Sequence, residues 1–224
     1  MVLTEFDFDK VWRTHAEPEN NFPEPLRIFT AQSYLEQYLE NWTCSLFWNK
    51  LIRRELVGQI RFRKERRCID DEFFTYRVLG NAEKLARSSA RMYAYRQQPG
   101  SAMHKTFSLR RLQGLEAKQQ RLEYLRQRMP ALEYEAKFDL FFTAMFLMQA
   151  CLRSLKGEQL QQARGYIGEI LKQITPLQQN PEASAKKNLL LKLAQKNFEG
   201  TCKLLNFLIH IHILPGGGNY GFSL

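Results

Sequence analysis

His210 and His212 are the pair of residues whose types and spacing come nearest to part of a metal site. On a strand, a His-x-His pair places both imidazoles on one face, where they could bind a transition metal. Such a site needs further ligands, and the nearest carboxylate belongs to Glu199. The four cysteines are far apart and form no C-x-x-C pair of the kind that zinc sites use. We therefore expect no metal site and no bound cofactor.

No catalytic or phosphate-binding motif is assembled in the sequence. There is neither a G-x-S-x-G elbow nor a G-x-x-x-x-G-K-[ST] loop. The glycines 216–218 precede only six residues, too few for the helix that completes a phosphate loop. Asp139 has no carboxylate near it in sequence for acid–base work. We expect a non-enzymatic protein; an enzyme whose residues meet only in the folded chain would be revealed by a pocket with perturbed acids.

The chain is basic, and its positive charge is concentrated in one half. The net charge of +10 comes from 33 Lys and Arg against 23 Asp and Glu, and the densest run lies between Lys50 and Arg67. On a helix, Arg63 and Arg66 would fall on one side with Arg67. A field of this kind attracts nucleic acid, an acidic protein surface or anionic lipid. A solvated helix end, a nucleic-acid contact or import signal, and an acidic protein partner remain open as interpretations.

The candidate binding residues are cations and tyrosines in the first half of the chain. Arginine and tyrosine are enriched at the energetic centres of protein interfaces, which favours the cluster before Pro99. The predicted partner- or nucleic-acid-binding residues are Arg53, Arg54, Arg61, Arg63, Lys64, Arg66, Arg67, Arg91, Tyr93, Tyr95, Arg96, Arg110 and Arg111.

The elements that would position these residues are helices, because apolar side chains recur at three- and four-residue spacing from Thr30 onward. The pattern favours helix continuation over a strand at 208–214, since a lone strand would have no pairing partner. The six predicted helices run from Thr30 through Ile60 into the basic run, from after Asp71 to before Pro99, and over 106–129, 131–156, 158–174 and 185–207.

The fold predicted from these elements is all-α, a bundle of about six mostly antiparallel helices. Residues 1–29 are acidic, aromatic and interrupted by prolines, which predicts an extended N-terminal arm. Residues 30–214 form the helical domain, which could divide into subdomains near 100–130. The Gly-rich residues 215–224 form a short flexible tail.

Together these features predict a non-enzymatic adaptor or scaffold subunit that holds a partner's acidic segment or amphipathic helix in a groove. The alternative is sequence-nonspecific binding to the DNA or RNA backbone through the basic region 50–128. The longest apolar stretch, 138–152, is too short to cross a bilayer, so we expect no membrane insertion. An acidic N-terminus without a signal-peptide pattern predicts an intracellular protein, with the nucleus favoured over the cytoplasm.

Overall fold

The computed structural model describes residues 2–11, 26–62, 69–96 and 107–214. Within these ranges the chain is mixed α/β, with four strands in one sheet and eight α-helices. The prediction of an all-α bundle of about six helices is therefore wrong. The chain divides into two units: the first contains residues 1–104 and 117–135, and the second contains residues 105–116 and 136–224.

The sheet belongs to the first unit and has the strand order β2-β4-β1-β3. Its strands are β1 (Val2–Val11), β2 (Arg27–Phe29), β3 (Lys50–Ile52) and β4 (Lys84–Arg96). Strand β1 is parallel to β4 and antiparallel to β3, so that Leu3 lies opposite both Leu85 and Ile52. Strand β2 is antiparallel to β4. The stretch predicted to be a separate extended arm thus supplies two strands of the sheet, while its residues 12–25 lie outside the described part.

The described α-helices are α1 (Ala31–Glu40), α2 (Arg54–Val57), α3 (Asp70–Leu79), α4 (Gln113–Arg128), α5 (Glu133–Ser154), α6 (Gly157–Ile174), α7 (Ala185–Lys196) and α8 (Phe198–His210). Short 3₁₀ helices cover Trp42–Ser45, Leu109–Leu112 and Pro130–Leu132. The fourth and fifth predicted helices match α5 and α6. The sixth is interrupted at Asn197, whose side chain accepts a hydrogen bond from the Gly200 amide at 2.9 Å and caps α8.

The helix predicted from after Asp71 to before Pro99 is in fact α3 followed by β4. The buried face of β4 carries Ala86, Ser88 and Ala90, alternating with more exposed residues. Small residues of this kind have weak β-propensity. Their alternation is therefore a weaker signal in the sequence than the helical spacing of the larger apolar residues around them. The first predicted helix likewise resolves into α1, a 3₁₀ turn, β3 and α2.

The second unit is helical, and α5 contributes much of its core, as its nearly continuous apolar sequence predicts. The ring of Phe141 packs edge-on against Phe198 of α8, with 5.7 Å between ring centroids. Burial raises the pKa of Cys151 to about 11 and that of Cys202 to about 12, so both thiols stay protonated at neutral pH. In the described part of the chain, none of the helices has the length and apolar character required to span a membrane.

A buried carboxylate joins three strands of the first unit. Glu5 of β1 is 3% exposed and forms ion pairs with Lys50 of β3 and Arg87 of β4, each at 3.2 Å. The Arg87 guanidinium also donates to Gln37 Oε1 at 3.0 Å and lies 5.3 Å from the centroid of the Tyr34 ring. Because a buried charge is tolerated only with partners, Glu5 fixes the relative positions of β1, β3 and β4.

The same network positions the loop 46–49, which lies immediately before β3. The Lys50 ammonium donates to the Leu46 carbonyl at 2.5 Å, closing the loop on itself. Asn49 is buried and makes two hydrogen bonds with the backbone of Phe6, one through its side chain at 3.2 Å and one through its carbonyl at 2.9 Å. The two aromatic residues between these anchors, Phe47 and Trp48, are therefore held in a defined place.

A second buried ion pair attaches α3 to α4 within the first unit. Arg121 of α4 is 1% exposed and donates to Glu72 of α3 at 3.0 Å. Its guanidinium lies 4.9 Å from the centroid of the Tyr38 ring on α1. Burial raises the pKa of Tyr38 well above its ordinary value, so the phenol stays neutral and can donate to Glu72. Arg121 of α4 thus contacts both α3 and α1 and connects the three helices.

We expect Arg121→Met to lower the free energy of unfolding by about 3–5 kcal/mol, because Glu72 would remain largely buried without its cation. The measurement is urea denaturation at neutral pH. The matched control is Arg126→Met on the same helix, where the guanidinium is 43% exposed and the loss should stay below about 1 kcal/mol. Equal losses in the two variants would contradict the role assigned to Arg121.

Candidate functional site

The predicted binding residues fall into separate stretches of the structure. Arg53 and Arg54 are exposed where α2 begins. The strand residues Arg91, Tyr93, Tyr95 and Arg96 lie in the second half of β4, and Arg110 and Arg111 lie in a 3₁₀ helix of the second unit. The cations Arg63, Lys64, Arg66 and Arg67 lie outside the described residues. The row of cations predicted on one side of a helix, Arg63, Arg66 and Arg67, thus lies outside the described residues and stays a prediction.

Arg61 is the predicted residue that lies at a cleft in the first unit. Its guanidinium donates to the carbonyls of Gly58 at 2.6 Å and Ile60 at 2.9 Å, which orients the side chain. The residues lining this cleft, here called the α3 cleft, are Arg61, Phe62, Asp70, Phe73, Phe74, Arg77 and Gln120. The cleft thus combines guanidinium, carboxylate, amide and aromatic groups.

A strained residue sets the start of α3 beside this cleft. Ile69, directly before the helix, has φ 62° and ψ 33°, a left-handed conformation that β-branched residues rarely adopt. Backbone strain of this kind costs of order 1–3 kcal/mol and persists only where the surrounding structure enforces it. The turn places three consecutive acids, Asp70, Asp71 and Glu72, in the first turn of α3. Their charges face the free N–H groups and the positive end of the helix dipole.

The three acids have different surroundings. Asp70 lines the α3 cleft, whereas Glu72 is engaged by the buried guanidinium of Arg121. Asp71 lies between them in sequence and is partly buried. Only Glu72 is therefore accounted for by the packing of the helices.

Asp71 has a raised pKa, and its causes can be separated. Burial is the largest cause and raises the pKa of the carboxyl above its ordinary value. A backbone hydrogen bond from Phe47 acts in the opposite direction. The negative charges of Glu72 and Asp70 raise the pKa again, with a small lowering from Lys50. The net result is a carboxylate of increased proton affinity that is hydrogen-bonded to the backbone of the loop 46–49.

The loop 46–49 connects this carboxylate to two groups of aromatic rings. Phe47 contacts Phe62 of the cleft at 5.3 Å between centroids, and Phe62 stacks on Phe74 at 4.1 Å. The next residue, Trp48, stacks on Tyr95 at 5.0 Å with an interplanar angle of 10°. Aromatic faces of this kind pack well against the C–H faces of ring-shaped ligands, since the ring face carries partial negative charge.

Trp48 also brings together two of the sequence-predicted residues. It lies 4.5 Å from Tyr93 as well as 5.0 Å from Tyr95, because residues two apart on β4 share a face. Tyr93 remains 39% exposed, and Arg91 and Arg96 are exposed beside it on the strand. The structure thus brings Tyr93 and Tyr95 together against Trp48, and the binding role predicted for them and for Arg91 and Arg96 stays a prediction.

Sequence reasoning missed the acids of α3 as functional candidates. Consecutive acids are typical of a helix start, and that interpretation alone explained them. What distinguishes Asp70 and Asp71 is the left-handed turn at Ile69 and the approach of Phe47, which is distant in sequence. Neither feature leaves a local signal in the residue types.

The histidine pair does not lie on a strand. His210 is the last residue of α8, and His212 follows in a turn with φ 58°, both with exposed side chains. Across residues 2–11, 26–62, 69–96 and 107–214, no group of three or more His, Cys, Asp or Glu side chains is arranged to hold a metal ion.

We expect Asp71→Asn to stabilise the folded protein at neutral pH, because the amide still accepts the bond from Phe47 without a buried charge. A raised folded-state pKa means that the native state binds more protons, so the contribution of Asp71 to stability falls as the pH rises above the carboxyl's ordinary range. Thermal unfolding measured from pH 4 to pH 8 should show the variant's advantage at neutral pH and its loss toward pH 4. A destabilised variant at neutral pH would show that the carboxylate serves packing instead.

Neither a protein-family model nor a curated protein matches this sequence. The activity of the chain must therefore be inferred from its own side chains. In the described part of the first unit, the α3 cleft and the adjoining loop 46–49 form one exposed place where carboxylates, guanidinium groups and aromatic rings come together.

Proposed function

We propose that the α3 cleft is the acid–base site of an enzyme that transfers a group to a hydroxyl of a sugar or a similar polyol. The observation that carries this proposal is a pair of neighbouring carboxyls at the start of α3: Asp70 lines the cleft, and the next residue, Asp71, is partly buried with a raised pKa. A general base is most effective when its pKa lies near the working pH, and burial moves a carboxyl in that direction. In this proposal Asp71 accepts the proton of the attacking hydroxyl, whose oxygen forms the bond to the transferred group. The bond between that group and the donor's phosphate breaks at the same time, and the phosphate leaves with the electron pair as an anion.

The substrate class is inferred from the cleft and the loop beside it. The aromatic rings of Phe62 and Phe73 offer apolar surface to a ring-shaped molecule. Asp70 and Gln120 add groups that can form hydrogen bonds with neighbouring hydroxyls. Ligand pockets combine apolar walls with a few placed polar groups in this manner.

Two guanidinium groups in the cleft favour a negatively charged group on the second substrate. Arg77 donates to Tyr76 at 3.0 Å and to Gln120 at 3.2 Å, and Arg61 is oriented by two carbonyls. Each guanidinium has five N–H donors, so both retain donors for a ligand. Arginine in this fixed geometry binds phosphate well, which favours a phosphate-bearing donor for the transferred group.

The sequence alone predicts a non-enzymatic adaptor, and that prediction stays open as the second candidate. The observation that favours it is the exposed Tyr93 beside Trp48, with Arg91 and Arg96 exposed in the same half of β4. Tyrosine and arginine are enriched at interface hot spots. Backbone-directed nucleic-acid binding is supported by the exposed Arg53, Arg54 and Arg61 in the described part of the basic run. The favoured nuclear location likewise stays a prediction.

The enzyme proposal is tested by titrating the isotopically labelled chain with methyl glycosides and myo-inositol, and separately with inorganic pyrophosphate. We expect amide shift changes at residues 47–48, 61–62 and 70–77, where the cleft and its loop lie. Asp71→Asn should weaken sugar binding about tenfold, because a hydrogen bond to a charged group contributes about 1.5–3 kcal/mol. Arg77→Gln should weaken pyrophosphate binding and leave sugar binding nearly unchanged.

Glu182→Gln provides the control, since it removes one exposed carboxylate in the second unit. It should bind sugar and pyrophosphate as the unmodified chain does. Shift changes outside the cleft and loop, or none with any of the probes, would count against the enzyme proposal.

The nucleic-acid alternative is separated from the other two by a binding titration at several salt concentrations. Neutralisation of phosphates by lysine and arginine gives a steep negative slope in log K against log salt. A double variant, Arg53→Gln with Arg54→Gln, should reduce that slope by about two. Absence of binding at low salt would remove this alternative, and copurification of a stoichiometric protein partner lost with Tyr93→Ala would favour the adaptor.

A further inference from the structure

The last two described helices expose more apolar surface than a water-facing helix pair needs. On α7, Leu189 is 56% exposed and Leu193 is 41% exposed. On α8, Leu204 is 50% exposed and Phe207 is 56% exposed, and Ile211, which follows the helix, is 41% exposed. Clustered exposed apolar side chains commonly mark an interaction site.

These residues form a stripe on each helix. Leu189 and Leu193 are four residues apart on α7, and positions 204, 207 and 211 are separated by three and four residues, so each set occupies one side. The opposite sides are buried in the second unit, through Leu190, Leu191 and Ala194 of α7 and Thr201, Cys202 and Leu205 of α8. Both helices are therefore anchored to the unit by one side while they offer the other to solvent.

Lysines border the apolar stripes. On α7, Lys186 projects near one edge of the stripe, and Lys192 and Lys196 project near the other. On α8, Lys203 lies beside the stripe and is 61% exposed. The segment 185–214 contains five lysines against one glutamate, and that glutamate, Glu199, is paired with Arg164 and Lys203. The border of the exposed surface is thus positively charged.

We propose that α7 and α8 bind the surface of an anionic membrane, with the apolar stripes in the acyl boundary and the lysines at the headgroups. An interfacial helix has this arrangement: leucine and phenylalanine on one face, bordered by lysines whose stems extend along the apolar surface. The positive charge of the exposed Lys192 and Lys196 along the α7 stripe argues for a negatively charged planar surface as the occupant. This binding is peripheral and is independent of the α3 cleft.

The experiment is cosedimentation of the full chain with vesicles of phosphatidylcholine alone and with vesicles that also contain phosphatidylglycerol. We expect binding to the anionic vesicles that weakens as salt is raised, because the lysines contribute through screened charge. The double variant Leu204→Ser with Phe207→Ser should reduce vesicle partitioning by at least about tenfold. Lys192→Gln with Lys196→Gln should reduce it by about fivefold for each lysine.

Leu26→Ser is the matched control, since Leu26 is 52% exposed in the first unit and the change is chemically the same. It should leave vesicle binding unchanged. Because all substituted side chains are exposed, circular dichroism and the thermal midpoint should show that each variant remains folded.

The proposal is overturned by any of three results. The first is no binding to anionic vesicles at low salt. The second is equal binding of the Leu204→Ser, Phe207→Ser variant and the unmodified chain. The third is a concentration-dependent dimer in solution that this variant abolishes, since the stripes would then be covered by a second copy of the chain.

Discussion

A single buried carboxylate, that of Glu5, governs the geometry of the first unit. Its charge must be compensated where water is excluded, and Lys50 and Arg87 provide that compensation from the two strands that flank β1. The compensation of the Glu5 charge determines the position of more than the sheet. Lys50 also closes the loop 46–49, so the same ammonium that satisfies Glu5 determines where Phe47 and Trp48 stand relative to α3. The aromatic surroundings of the α3 cleft follow from one electrostatic requirement in the core.

The three consecutive acids at the start of α3 differ in role because different groups lie next to each of them. Glu72 is taken up by Arg121 and belongs to the packing of α3 on α4. Asp70 and Asp71 are turned elsewhere by the left-handed residue before them, Ile69. The strain at Ile69 and the raised pKa of Asp71 both oppose stability, and stability is commonly sacrificed in this way at functional sites. Neighbouring acidic residues of one helix turn thus differ in their chemistry because their surroundings differ.

The sequence predicted best where local periodicity and tertiary packing agree. The apolar run around Phe141 gave α5, and its neighbour α6 was bounded correctly because a glycine and a proline flank it. It predicted least where a long-range pairing decides the outcome. β1 pairs with β4, some 80 residues later in the chain, and the small residues Ala86 and Ser88 on the buried face give no strong alternating pattern. The acids of the candidate site could not be predicted from the sequence for the same reason, since Phe47 contacts Asp71 only in the folded chain.

The turn between α3 and β4 also has an evolutionary consequence. A Cβ atom at Gly80 would lie 2.0 Å from the hydroxyl oxygen of Tyr124, so the two positions cannot both carry larger side chains without a shift of the ring. A relative with a side chain at position 80 would therefore need the ring of Tyr124 to move aside or a shorter residue in its place.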